Sequence, residues 1–260
     1  MEEISALVTD GRIGPAIAAT GLASARLYAL TRSVPFLGGR RVPATLHLGL
    51  AVALGIAAGP GRLDSVPAAP LLAMLAIKEV LVGFSAGFVA SLPFHFLEQS
   101  GAVADAARTT SFSPAPVGGT SGSSPAGNLV LLLATCVFFL TPAHAAFWTG
   151  VEATFRAVPL APSPLALPSW QSIAMAAIAS SSALLAASIM IAFPVLASVL
   201  IADLAVGAAG RFVPHAGGTL SFMPLRSAVG LGALALALTA LLPVAARLLL
   251  DSMSWLEAVR

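Results

Sequence analysis

The chain has 260 residues and carries 13 basic and 11 acidic side chains, a formal net charge of +2. Charged residues make up 9% of it and apolar residues 58%, with a mean hydropathy of +0.94. So few charges cannot clothe a soluble monomer. This excludes a soluble enzyme domain and a disordered chain. The small, dispersed positive excess excludes a nucleic-acid binder.

One membrane-embedded unit over residues 1–260 is the expected organisation. The single cysteine, Cys136, rules out an intrachain disulfide and lies in an apolar run, where a thiol behaves as a small hydrophobe. Met1-Glu2-Glu3 lacks the basic start of a signal peptide, so none is expected.

The gaps between charges mark six apolar segments, each to be compared with the about 20 residues that a spanning helix needs. The first, about Ile13 to Val34, is amphipathic and holds Arg26 and Arg32; Pro35, Gly38 and Gly39 end it. The second, about Val42 to Ala58, stops at Gly59-Pro60-Gly61. A third runs from about Pro67 to Leu97 and is divided by Lys78-Glu79. The stretch from Gly101 to Asn128 follows, rich in Gly, Pro, Ser and Thr, and reads as a functional loop. A fourth segment, about Leu129 to Val151, contains Pro142 and His144 and precedes a connection holding Pro159, Pro162, Pro164 and Pro168. The fifth, about Ser169 to Ala202, carries Pro194, where a kink or break is expected. Asp203 and a connector from Gly207 to Ser221 lead to the sixth, about Leu225 to Asp251. Ala- and Leu-rich runs of this length predict an all-α integral membrane protein rather than a β-barrel. If all six crossed, five arginines would face one side and six the other, so no positive-inside orientation emerges.

No catalytic or metal-binding pattern stands out. The only lysine, Lys78, follows no glycine-rich phosphate loop, the four histidines are scattered, and no nucleophile elbow surrounds the serines. No enzyme activity, cofactor or metal is expected. Lys78-Glu79 draws attention instead, because ionisable groups in an apolar segment are expensive. Adjacent helical residues point about 100° apart, so the two do not simply neutralise each other. Either the pair is functional or it sits at an interface or between two half-helices. Arg26 likewise needs a partner chain, a headgroup or a water-filled path. Glycines at close spacing, Gly55/Gly59, Gly83/Gly87 and Gly207/Gly210, permit close helix packing.

Several stretches resemble the T-class export-apparatus proteins of type III secretion systems. Ile77-Lys78-Glu79-Val80-Leu81-Val82-Gly83-Phe84-Ser85-Ala86-Gly87-Phe88 is similar to a helix of that family with a KE pair and two glycines. Ser91-Leu92-Pro93-Phe94, Gly101 and Asp105-Ala106-Ala107-Arg108 resemble its next segment, and Ser124-Pro125-Ala126-Gly127-Asn128-Leu129 the start of the helix after it. Asp203 to Gly207, Arg211-Phe212-Val213-Pro214-His215 and Met223-Pro224-Leu225-Arg226-Ser227 resemble a later region, and Arg26 followed by Pro35 fits the first helix. The matches keep their order from about residue 20 to residue 230. Departures fall at Ala107, Thr109, His215 and Gly217.

The resemblance implies a subunit of an export gate, a pseudo-helical assembly of helical hairpins in the bacterial inner membrane through which unfolded proteins pass. The partners it implies are R-class and S-class membrane proteins, a U-class switch protein, secreted unfolded substrates and membrane lipid. It assigns Arg26, Lys78, Glu79, Gly83, Gly87, Asp105, Arg108, Asp203, Arg211 and Pro214 to assembly or gating. Within the long loop, Gly118, Gly119, Thr120, Ser121 and Gly122 are expected to contribute a channel plug, since small uncharged side chains can fill a lumen without strong ion pairs. The SLPF segment and the short polar C-terminus lean toward the injectisome branch over the flagellar one. A small-molecule transporter is the alternative; it expects matched broken helices in two halves.

Overall fold

The computed structural model describes residues 13–39, 42–108, 124–160, 170–212 and 223–254. Those residues are helical apart from short turns and connections, as the composition predicts. In chain order the helices are α1 (Ile13–Ser33), α2 (Ala44–Ala58), α3 (Ala69–Arg108), α4 (Pro125–Leu140), α5 (Ala143–Ala157), α6 (Trp170–Phe212) and α7 (Met223–Ser254), with a short 3-10 turn at Pro35–Leu37.

The boundaries differ from the sequence expectation at three places, each for a physical reason. First, Gly101 to Arg108 continues α3, and Pro125 already opens α4, so both edges of the expected loop are helical. Alanine-rich sequence after Gly101 favours helix, and the backbone of Gly101 packs on Ala126. Second, the fourth segment divides into α4 and α5 at Thr141-Pro142. Thr141 is extended (φ −104°, ψ 165°), the conformation a following proline imposes. Third, α6 runs unbroken through Pro194 and Asp203 to Phe212. The ring of Pro194 is exposed, so it displaces no packed neighbour. The α3 and α6 helices, at 40 and 43 residues, are about twice the length that one perpendicular crossing takes. Among the described residues, two helical stretches, Ala69–Ala107 and Leu184–Ala205, are long and apolar enough to cross a membrane. A third qualifies if α4 and α5 form one broken span.

The chain divides into two compact units. The first comprises α1, α2, α3 up to Leu92, most of α5 and the start of α6. Its axis is α1, which buries Ala19, Leu22, Ala23, Arg26, Leu27 and Leu30 at helical spacing. Antiparallel to it lies α2, attached through a strip one residue wide: His47, Ala51, Gly55 and Gly59. Beside it, α3 runs parallel. The turn between α1 and α2 uses Gly38 in the left-handed region (φ 91°), whose N–H donates to Pro35 O. Arg32 Nη1 donates to Gly39 O at 2.7 Å, and the Nε2 of buried His47 meets the same oxygen at 3.0 Å. Phe36 and Phe147 meet edge-on, centroids 5.0 Å apart.

The second unit comprises α3 from Pro93, α4, α6 from Ser180 and α7 up to Leu250. The division within α3 falls at Pro93, where the ring removes a backbone hydrogen bond. Phe94 of α3 packs edge-on against Phe138 of α4, centroids 5.6 Å apart. In α6, Leu184, Ser188, Ala192, Val195 and Val199 form the buried stripe.

Candidate functional site: a buried ionic cluster and a helix clamp

Arg26 stands in the middle of α1 with no exposed surface. A lone guanidinium there would pay several kcal/mol of desolvation, so its donors need acceptors. Its Nε donates to Glu79 Oε2 of α3 at 2.5 Å. Its Nη1 donates to Thr154 O at 2.9 Å and its Nη2 to Val158 O at 2.7 Å. Thr154 lies in the last turn of α5 and Val158 just beyond it, where a helix gathers partial negative charge; Thr154 O also accepts from Val158 N at 3.0 Å, so Arg26 adds a second donor to it. Arg26 therefore caps α5 from another helix. The Phe155 ring lies under the same guanidinium, 4.2 Å from Cζ to centroid, and Arg62 approaches that ring at 4.7 Å.

Lys78 and Glu79 are both buried in continuous helix, 3% and 0% exposed. Lys78 Nζ donates to Pro159 O at 2.9 Å and lies 3.1 Å from Glu79 Oε1. The adjacent pair does touch, contrary to the expectation from the 100° offset, because the lysine stem is long enough to curl back. Glu79 Oε1 accepts no well-directed hydrogen bond among the described residues, so Lys78 satisfies it by charge alone. Two cations thus share one carboxylate, and the end of α5 supplies the remaining negative potential. The partner that Arg26 requires lies within its own chain.

The glycines explain how the helices come this close. A Cβ on Gly83 would fall 2.8 Å from the carbonyl carbon of Arg26 and 3.0 Å from its Cα. One on Gly87 would meet Leu30 O at 2.8 Å. On the other flank of α1, a Cβ on Gly59 would sit 2.6 Å from Thr20 Cα and one on Gly55 3.0 Å from Ser24 N. Two glycine pairs, from α2 and α3, therefore grip the same helix. Gly207 is different: a Cβ there meets nothing within 4 Å.

Asp105, in the last turn of α3, is buried. Its Oδ2 accepts from the amide of Ala126 at 2.8 Å and from the hydroxyl of Ser124. Ser124 is also the N-cap of α4, accepting from Gly127 N at 3.0 Å. The N-terminus of α4 thus has a cap of its own and a second one supplied by α3.

The remaining candidates are placed unequally. Arg108 is the last residue of α3, and Arg211 lies in the last turn of α6. Asp203 is half-buried within α6. Gly118, Gly119, Thr120, Ser121, Gly122 and Pro214 lie outside the described residues. His95 and Glu98, 3.4 Å apart, form a surface pair. No group of three or more metal-ligating side chains occurs among the described residues. Sequence reasoning missed the acceptors Thr154, Val158 and Pro159, the ring of Phe155, and Ser124 as a clamp partner. Only Ser124 had a readable signal: a serine before Pro-Ala-Gly is an N-cap signature.

Comparison with known proteins accords with the helical reading. The chain is 26% identical over 225 residues to the flagellar biosynthetic protein FliR of Escherichia coli (strain K12), covering 85% of this chain and 83% of that protein. It is 28% identical over 225 residues to FliR of Caulobacter vibrioides, covering 84% and 87% respectively. With FliR of Bacillus subtilis (strain 168) the identity is 26% over 210 residues, covering 78% and 80%. The lean toward the injectisome branch draws no support from these three, all of them flagellar. Residues 17–252, from early α1 almost to the end of α7, match the bacterial export proteins, family 1, and the chain belongs to that family.

Proposed function

We propose that this chain is a subunit of a type III export gate in the bacterial inner membrane, forming part of the channel through which unfolded proteins pass. The observation that carries the reading is the family match over residues 17–252. The structure supports it with buried charges, Arg26, Lys78 and Glu79, that pair with one another, while exposed apolar helix faces are left for lipid or partner helices. We assign it R-class and S-class membrane proteins as gate partners and a U-class switch protein bound outside. The subunit works by packing and shape, without catalysis and without a cofactor.

In this reading Arg26, Lys78, Glu79, Gly83 and Gly87 hold the first unit in the form that assembles. Asp105, Arg108, Asp203, Arg211 and Pro214 serve contacts or gating, and Gly118 to Gly122 contribute the plug. The flagellar counterpart is a second reading, favoured by the three FliR relatives at 26–28% identity. One experiment tests both. Deleting the chain from its host and restoring it on a plasmid should abolish and then recover export. Loss of flagellar filament proteins from the medium assigns the flagellar system; loss of other secreted proteins, with motility intact, assigns an injectisome. Export that persists unchanged without the chain contradicts the proposal.

A further inference from the structure

We propose that Arg62, at the end of α2, holds the phosphate of an anionic phospholipid. The inference rests on the chain's being a membrane protein and not on its place in an export gate.

Charge is scarce in this chain, so an uncompensated one stands out. Three cations, Arg26, Lys78 and Arg62, gather about the C-terminal part of α5, where Arg26 and Arg62 both lie against the Phe155 ring. Glu79 pairs with the first two and not with Arg62. Glu152, on α5 itself, is taken by Arg156. Asp64 is exposed and forms no ion pair among the described residues.

What fixes Arg62 leaves its outer nitrogens unclaimed. Its Nε donates to Ala58 O, in the last turn of α2, at 2.5 Å, and a helix C-terminus favours a cation there. Its Cζ lies 4.7 Å from the Phe155 centroid. Nη1 and Nη2 donate to nothing among the described residues, and the side chain is half-buried. A guanidinium held at its stem and stacked on a ring is preorganised for a two-pronged contact with phosphate.

The surface beside Arg62 selects the source of that phosphate. Between Ala44 and Ala58, α2 carries no charged side chain. Leu48, Val52 and Ile56 stand exposed at four-residue steps, a ridge about 12 Å long that runs toward the end where Arg62 sits. Val66, just past Arg62, is exposed as well. A cation at the end of an apolar ridge matches an amphiphile, with its headgroup on Arg62 and an acyl chain along α2. A free anion would use the cation and leave the ridge bare.

The test takes the chain, purified with whatever partners it retains, in nanodiscs of phosphatidylcholine with a graded share of phosphatidylglycerol. Native mass spectrometry counts the phosphatidylglycerol it keeps. Arg62→Gln should lower the apparent affinity for that lipid roughly fivefold, the weight of one basic side chain near an anionic surface. Arg62→Lys should restore part of the loss, keeping the charge without the fork. Asp64→Asn should strengthen retention by removing a nearby negative charge, whereas a purely structural Arg62 leaves that variant at the parental level. This second variant keeps the test open where Arg62→Gln disturbs the fold. Equal retention by the parent and Arg62→Gln would overturn the proposal. Displacement of the lipid by millimolar inorganic phosphate would overturn the lipid as occupant and assign a free anion. Loss of a partner protein from Arg62→Gln, with lipid retention intact, would overturn it in favour of a protein contact.

Discussion

Arg26 carries a positive charge into the middle of α1, and what keeps it there is a set of acceptors from two other elements. Desolvating an ion costs several kcal/mol. Each charge-assisted hydrogen bond returns about 1.5–3 kcal/mol, and Arg26 makes three of them. The balance depends on Glu79, the one carboxylate among the described residues that faces both Arg26 and Lys78. Glu79→Ala should therefore cost about 3–5 kcal/mol, the penalty for leaving buried charge uncompensated. Lys78→Met should cost less, since Glu79 keeps Arg26 and the methionine refills the stem's space. Thermal unfolding of the purified assembly, followed together with complex yield, checks the order; equal effects, or assembly untouched by either change, would contradict it. The sequence marked Arg26, Lys78 and Glu79 by the cost of charge in apolar segments. It could not mark Thr154, Val158 or Pro159, because a backbone carbonyl is the same at every residue and only the fold says which ones a buried cation reaches.

At the scale of the helix, three pairs of close-spaced glycines looked alike in the sequence and differ in the structure. Gly55/Gly59 and Gly83/Gly87 face the backbone of α1, while Gly207 faces open space among the described residues. Spacing says that a helix offers a smooth strip, not that another helix lies on it. The difference gives opposite signs for one substitution. Gly83→Ala drives a Cβ into the backbone of Arg26 and should destabilise the first unit by about 1–3 kcal/mol, as overpacking does. Gly207→Ala meets nothing and should stabilise α6 by up to about 1 kcal/mol, the helix propensity gained. Comparing melting temperatures of the two variants in the same detergent checks both; a Gly83→Ala protein as stable as the parent would refute the grip on α1. Prolines show the same limit of reading. Pro142 breaks the helix and Pro194 does not. Pro142 follows an extended Thr141, whereas Pro194 lies on the exposed side of a helix whose other face is packed.

For the whole molecule, the decisive fact is how much apolar surface the chain leaves uncovered. Beyond its narrow buried strip, α2 exposes Leu46, Leu48, Leu50, Val52 and Ile56. On α3, Met74, Ile77, Leu81, Phe84 and Phe88 recur at alternating steps of three and four along one exposed face. Surfaces of this kind need lipid or other helices against them. Yet only two helical stretches among the described residues, or three with the broken pair, suit a membrane crossing. This fits the absence of a positive-inside pattern, for a charge rule based on six crossings has no purchase on such a chain. Composition made the all-helical membrane fold legible, and ordered motifs made the family legible. The roles proposed for Arg108, Asp203, Arg211 and Pro214 came from the resemblance alone, because charge and spacing in one sequence do not say what such a residue meets. The most direct measurement is co-expression with the neighbouring R-class and S-class proteins, then mild-detergent purification through a tag on this chain. The account predicts one large complex in which this chain is the minority component. A stable lone monomer or homodimer that retains neither partner would contradict it.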